Sequence, residues 1–404
     1  MRNRFGRAVL GAAFGLAMLI GGPELGTKPA MAQATTGGGA PEGFEWGYNK
    51  GFFFRNPNFE LKISTRTQFR YTYRMLDTDA TDRDNGAFNI PRARFRLDGY
   101  AWHPWFKYKL QYDFVGARDL CPTGGVGCDA LLQRSDLRDL YFDVTKQPWY
   151  QVRMGQFKQP FGQQELTSSG DQQFVDRSIA STVFAPSREV GTMLYGLSFE
   201  KVFGYEVAVS NGNGRNHNAD NNSGYRWSAR IHWDPNGEYK LSESAVDHPQ
   251  QVNYTLALAA NHNNIEANLA ETTELLGQGT AEAFFGLKWK NLSVSADYYK
   301  RREELPTTDI KSPSSGYIGQ VGYFLTQKIE LALRYSGVGR TLDNLETNGT
   351  EQRIGFNWFF EKHDLKFQAD YGRTRFDGDA GLISASGATT GILDAFRAQL
   401  QVVF

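Results

Sequence analysis

The sequence predicts an all-β fold: a sixteen-stranded antiparallel transmembrane β-barrel, with short turns at one end and long loops at the other. Three observations predict it. The final stretch sets Phe396, Ala398, Leu400, Val402 and Phe404 on one face and Arg397, Gln399, Gln401 and Val403 on the other. That is the period of a strand with one apolar and one mainly polar side, and a last strand with an aromatic carboxy end is expected to close a barrel. The same alternation recurs in sixteen segments, an even number, as bacterial barrels require. Finally, six of the eight tryptophans (Trp102, Trp105, Trp149, Trp233, Trp289 and Trp358) fall at the short-turn ends of those segments. An interfacial belt predicts such a row, because indole has an apolar body and a polar N–H.

In chain order, Arg2, Arg4 and Arg7 precede the apolar run Ala8 to Ile20, and Ala30-Met31-Ala32 follows it. This is the layout of a secretory signal peptide over residues 1–32, with cleavage expected before Gln33. The run is too short for a spanning helix, which needs about 20 residues. Residues 33–58 read as a Gly-rich periplasmic lead and 59–404 as the barrel. The expected strands are 59–76, 88–102, 105–116, 136–146, 149–157, 190–199, 204–211, 224–233, 252–262, 280–289, 291–301, 316–325, 328–338, 351–359, 364–376 and 391–404. Short connections such as His103-Pro104, Gln147-Pro148 and Lys290 alternate with long ones at 77–87, 117–135, 158–189, 212–223, 263–279, 302–315, 339–350 and 377–390. Brief periplasmic turns and longer external loops have this asymmetry. Asp234 to Gln251 is the long exception on the short side. Helical spacing over Ile265 to Leu276 suggests a short helix in the fifth loop.

The alternation also assigns faces. Leu292, Val294, Ala296 and Tyr298 would face outward, as would Ile329, Leu331, Leu333 and Tyr335. Their alternates are polar, so the lumen should hold water rather than a packed core. One wall is basic: Lys62, Arg66, Arg70 and Arg74 on the first strand, Arg92, Arg94 and Arg96 on the second, Lys107 and Lys109 on the third. A hairpin symmetric about its loop would set Arg70 against Arg92 and Arg66 against Arg96. Opposed like charges destabilise a sheet, which makes sense where an anion passes. Arginine suits that path, having a weakly hydrated planar fork that gives bidentate donors to oxyanions. Pivoting on His103-Pro104 pairs Asp98 with Lys109 and Arg94 with Asp113, which could be purely structural. Arg66, Arg70, Arg92 and Arg96 have no obvious local acid.

Lys plus Arg and Asp plus Glu are 44 each, which gives no sign of nucleic-acid binding. That balance conceals a partition, because acids gather in loops: Asp77, Asp79, Asp82 and Asp84 in the first, with more in the fifth and sixth. Such an aspartate run offers calcium oxygen ligands, although plain solvation is the commoner use, and no metal site is assigned. Cys121 and Cys128 enclose a Pro/Gly-rich segment in an exported chain, so a small loop disulfide is expected.

Four blocks are similar to the phosphate-selective porin O and P family: Gly155-Gln156-Phe157-Lys158-Gln159-Pro160-Phe161-Gly162, Glu165-Leu166-Thr167-Ser168-Ser169, Phe174-Val175-Asp176-Arg177-Ser178 and Ala185-Pro186-Ser187-Arg188-Glu189-Val190-Gly191. The resemblance implies a homotrimeric sixteen-stranded porin in the outer membrane, with lipid around it and small anionic solutes such as phosphate inside. It implies that the third long loop, 158–189, folds inward and narrows the channel, with Lys158, Arg177 and Arg188 at the constriction. Arg177 and Arg188 could equally clamp the loop through Asp176 and Glu189. The chain carries no dense lysine cluster of the kind seen in the best-known members. A general or weakly selective diffusion porin is therefore the alternative.

An enzyme housed in a barrel would need a catalytic group at one rim. The six histidines (His103, His217, His232, His248, His262 and His363) lie mostly in turns or loops, and no Gly-x-Ser-x-Gly, His-Glu-x-x-His or phosphate-binding Gly-Lys-Ser/Thr motif occurs. The expectation is a passive channel that is not an enzyme and uses no cofactor. An adhesin or structural barrel is a third possibility.

Overall fold

The computed structural model describes residues 43–79, 82–115, 136–198, 200–217, 224–268, 273–305, 310–342, 345–377 and 390–404. Residues 1–32, expected to be a signal peptide, and both cysteines of the expected disulfide, Cys121 and Cys128, lie outside the described residues.

Two short strands come first, β1 (Glu45–Tyr48) and β2 (Phe52–Asn56). The barrel follows: β3 (Phe59–Thr78), β4 (Asp82–Ala101), β5 (His103–Asp113), β6 (Asp136–Gln147), β7 (Tyr150–Lys158), β8 (Arg188–Leu197), β9 (Phe203–Ser210) and β10 (Arg226–Trp233). Then come β11 (Asn253–Asn268), β12 (Thr273–Trp289), β13 (Leu292–Leu305), β14 (Ile310–Phe324), β15 (Ile329–Leu342), β16 (Leu345–Glu361), β17 (Leu365–Asp377) and β18 (Thr390–Val403). Each of β3 to β18 pairs antiparallel with the next, and β18 pairs with β3 from Gly391↔Thr78 to Val403↔Arg66. Sixteen strands therefore close into a barrel. The lead is more than a tether, since β1 and β2 form a hairpin and β2 pairs with β3 from Phe52↔Ile63 to Asn56↔Phe59. It covers the part of the β3 edge that β18 does not reach.

The burial pattern is inside out relative to a soluble protein. Leu256, Leu258, Leu331, Leu333 and Ile354 are exposed on the outer surface, while Glu330, Arg334, Asn357, Lys366 and Gln368 are buried within. Period-two alternation with apolar residues outward is what a lipid-facing barrel requires. Four of the belt tryptophans, Trp102, Trp149, Trp233 and Trp289, are exposed at the turn ends.

Four of the expected loops are instead mostly strand. β3 and β4 run to Thr78 and from Asp82, β11 and β12 to Asn268 and from Thr273, and the hairpins β13–β14 and β15–β16 are extended likewise. The expected helix over Ile265 to Leu276 is part of a ladder, with Ile265 opposite Leu276 and Asn268 opposite Thr273. Above the lipid the outward face need not be apolar, so the alternation that marks strands fades while the hydrogen-bond ladder continues.

The first hairpin also departs from symmetry. Gln68 faces Arg92 and Arg70 faces Asn89, so two residues, Ile90 and Pro91, oppose Phe69. Proline donates no ladder hydrogen bond, and a bulge accommodates it. The register that results sets Arg66 opposite Arg94 and Ser64 opposite Arg96, not the Arg66–Arg96 and Arg70–Arg92 pairs that symmetry suggests. In the second hairpin Arg94↔Asp113 and Asp98↔Lys109 are paired as expected.

The long turn-side segment 234–252 folds up into the barrel. Ala245 packs with Phe324 and Phe359, and Ser244 Oγ donates to Glu330 (2.8 Å). Asp247 is held by Lys240 and Lys362, each at 2.7 Å. Ser242 Oγ lies 3.0 Å from Nε2 of His363, in the β16–β17 turn, and Lys366 Nζ lies 3.4 Å from its Nδ1. Since an ammonium can only donate, Nδ1 accepts and Nε2 carries the proton. Burial, then the charges of Lys366 and Lys288, hold the His363 pKa well below its ordinary 6.5. The undocked form therefore binds the extra proton first. Docking of this segment is unaffected above about pH 6.5 and weakens below it, by at most about 1.4 kcal/mol per pH unit. Protection factors of the amides over residues 240–246, which allow for the slower intrinsic exchange in acid, should fall as pH drops from about 6.5 to about 5.5, and His363→Gln should remove that dependence. An equal fall in the variant would assign it elsewhere.

Candidate functional site: the constricted lumen

The connection from Lys158 to Arg188 runs inward, and its sequence explains how it stays there. Gly162 has φ 79°, and a Cβ there would come within 2.5 Å of the Ala185 side chain, so a side chain at this position is excluded. The short helix α1 (Gln163–Leu166) begins against the wall, where the Glu282 carboxylate accepts from the Gly162 and Gln163 amides (2.7 and 2.8 Å). At the other end, Lys158 Nζ donates to the Leu166 and Thr167 carbonyls (3.0 and 3.2 Å) and Arg177 Nε to that of Gln164 (2.9 Å). Both ends of α1 thus find charged partners for groups a helix leaves unsatisfied. Helix α2 (Ile179–Phe184) is capped by Ser178, whose Oγ accepts from the Ser181 amide. It buries Ala180 and Phe184 against Tyr299 and Ile318. Between the helices, Gln173 Nε2 donates to Glu330 (2.7 Å), and the Val175 amide to Asp370 (3.0 Å). The Arg334 guanidinium lies 4.5 Å from the Phe174 ring centre.

The loop therefore packs along the later strands and reaches the early ones too, where Ser168 and Ser169 accept from Arg66 and Arg94 (2.7 and 2.9 Å); the rest of the basic wall faces open space. That space is a cavity of about 1090 Å³ lined by seventeen Lys or Arg side chains and seven Asp or Glu. Of the sequence-predicted wall residues, Lys62, Arg66, Arg74, Arg92, Arg94, Arg96 and Lys109 line it, as do Lys158, Arg177 and Arg188 from the loop and its ends. Lys107 shares the strand face of Lys109 nearer the turn, is exposed and stands outside the lining.

Arg70 is the main correction. It is 1% exposed and does not line the cavity. Its guanidinium grips Asp176 of the loop at 2.9 and 3.0 Å and also donates to Gln399. The expected clamps are exchanged too. Asp176 binds Arg70, Arg397 (2.7 Å) and Arg92 (3.4 Å), while Arg177 binds Glu165 (3.0 Å). Arg188 binds Asp139 (2.8 Å), and Glu189 binds Arg226 (3.3 Å). Burial alone would push the Asp176 carboxyl up, but Arg70, Arg397 and Arg92 hold it well below the usual carboxylate range.

Within these networks cations outnumber carboxylates. Arg70, Arg92, Arg334, Arg353 and Arg397 share Asp176, Asp370 and Glu351. Arg94, Arg138 and Arg215 share Asp113 and Asp136. Arg66 donates to Ser168 Oγ (2.7 Å) and, among the described residues, neither it nor Lys62 has a carboxylate within 4.0 Å. A low-dielectric wall with surplus positive charge attracts anions and repels cations. Sequence reasoning missed Lys50, Arg83, Arg138, Arg153, Arg215 and Arg397 in this lining. Arg397 stood in plain view on the polar face of the last strand, whereas Arg138 follows a register shift between Gln111 and Tyr112 that parity counting could not see.

A family model described as phosphate-selective porin O and P matches residues 63–404. The chain belongs to that family. No curated protein matches this porin, but solved structures do. The anion-selective porin from Comamonas acidovorans aligns with a TM-score of 0.57 at 10% identity, over 86% of this chain and 100% of that one. The outer membrane channel DcaP of Acinetobacter baumannii aligns at 0.56 and 11%, over 85% and 97%. OmpT of Vibrio cholerae aligns at 0.56 and 10%, over 86% and 99%. At these identities the likeness is one of fold. Family and architecture together make this an outer-membrane channel protein, placed with porins rather than with enzymes.

Proposed function

We propose that this porin is a passive aqueous channel that favours anions, phosphate among them, moving down their own gradient. The observation that carries this reading is the surplus of cations over carboxylates around the cavity, seventeen to seven. Lys62, Arg66, Arg92, Arg94, Arg96 and Lys109 form the anion path along the wall. Lys158, Arg177 and Arg188 contribute positive charge at the constriction while holding the loop. Passage needs binding strong enough to admit an ion and weak enough to release it, and cations partly engaged by nearby carboxylates meet that condition. The chain is taken to be exported by a signal peptide cleaved before Gln33 and to assemble as a homotrimer. One solved form of V. cholerae OmpT, whose fold it shares, is a trimer.

Planar-bilayer recording in a chloride gradient tests the reading. The reversal potential is expected on the anion side, and added phosphate is expected to reduce the chloride current. A reversal potential near zero would leave a general diffusion porin in its place.

A further inference from the structure

The hairpin of β1 and β2 has two unlike faces. Trp46 stands opposite Phe54 and Tyr48 opposite Phe52, so these four side chains share one face. All four, and Phe44 just before β1, are between 40% and 56% exposed. The register with β3 fixes which way the shared face points. Phe54 lies opposite Leu61 and Phe52 opposite Ile63, on the side of β3 whose alternates, Lys62, Ser64 and Arg66, line the cavity. The four aromatics therefore continue the outer, lipid-facing surface of the barrel. The other face of the hairpin continues the inner wall and is more polar: Arg55 stands opposite Glu60, is bound to Glu45 at 2.7 Å and covers the Phe53 ring at 5.1 Å.

The hairpin is held as part of that wall. Lys50 in its turn binds Asp364 of the β16–β17 turn at 3.1 Å, and a Cβ on Gly51 would come within 2.5 Å of the Ile63 carbonyl oxygen. Its level is set as well. It pairs with β3 down to Phe59, and Phe59 stands opposite Ala101, next to Trp102 of the tryptophan belt. A contiguous exposed apolar patch marks an interaction site. Rings with polar tips, such as the Trp46 indole and the Tyr48 phenol, gain most where an apolar layer meets water.

We propose that the β1–β2 hairpin is a lipid anchor, its aromatic face seated in the headgroup boundary of the periplasmic leaflet. The inference is independent of which solutes the channel favours.

The test is the fluorescence of Trp46, taken as the difference between the porin and its Trp46→Phe variant. Both are placed in bilayers of ordinary phospholipid, and of phospholipid brominated either near the headgroup or near the chain ends. The difference spectrum is expected to be blue-shifted from that of indole in water, and to lose most of its intensity to bromine near the headgroup and little to bromine at the chain ends. Water-like emission that neither lipid quenches overturns the proposal and leaves the hairpin free in the periplasm. Blue-shifted emission that neither lipid quenches also overturns it and assigns the face to a second copy of the chain. Stronger quenching from the chain ends overturns the boundary placement. If Trp46→Phe does not assemble, Phe52→Trp gives the same reading from the signal it adds.

Discussion

Replacing Lys62, Arg66, Arg92 and Arg96 together with glutamine is expected to move the reversal potential toward the cation side in a salt gradient. All four line the cavity. Among the described residues Lys62 and Arg66 have no ion pair, and Arg92 reaches Asp176 only at 3.4 Å. Arg96 sits 2.6 Å from Asp98, so neutralising it also uncovers a carboxylate. A unit charge about 8 Å from a passing ion, at water's dielectric constant, is worth roughly 0.5 kcal/mol. Four together give about 2 kcal/mol, or a more than tenfold change in the anion-to-cation ratio, reduced as salt screens the wall. Arg70 does not belong in the set, because neutralising it frees Asp176 and disturbs the loop. An unmoved reversal potential in the quadruple variant would mean that these four side chains serve the barrel wall alone.

Asp176→Asn is expected to loosen the constriction. The carboxylate is the shared partner of Arg70, Arg92 and Arg397, and Arg70 is sealed from solvent. Removing one partner of a buried ion pair costs about 3–5 kcal/mol, mostly because the other charge is left uncompensated. Single-channel recordings should show larger and noisier currents, and loop residues 159–187 should become accessible to protease. A quiet channel of unchanged conductance would show that the other loop anchors suffice. Because its three arginines hold Asp176 well below the usual carboxylate range, the anchor stays ionised under mild acidity. It is lost only as pH falls through that depressed value. The response of His363 sets in below about pH 6.5, above the range in which Asp176 is protonated, so the two can be separated by titration.

Much of the architecture was legible because lipid outside and polar groups inside impose a period of two on every strand, and all sixteen barrel strands were found from it. The extended hairpins were missed where that pressure ends, above the membrane. The wall cations were legible as a strand face, but their partners were not. Arg70 was read as having no local acid because its acid lies 106 residues away, on a loop whose position no strand pattern encodes. Arg94 was different, since Asp113 lies across a tight turn and pivoting on that turn found it. The turn of the first hairpin and the bulge at Ile90-Pro91 together leave its register two residues from the symmetric expectation, which replaces an Arg66–Arg96 pair with Arg66–Arg94.

The inward loop also grips the join between the two ends of the barrel. Gln68 of β3 donates to Gln401 of β18 across that join at 2.6 Å, Gln401 donates to the Gly170 carbonyl at 3.0 Å, and Asp176 ties Arg70 of β3 to Arg397 of β18. The docking surface for the loop does not exist until the earliest and latest strands have met. An incompletely folded cylinder therefore remains wide, and the narrowing that governs permeation doubles as an inner latch set only when assembly is finished.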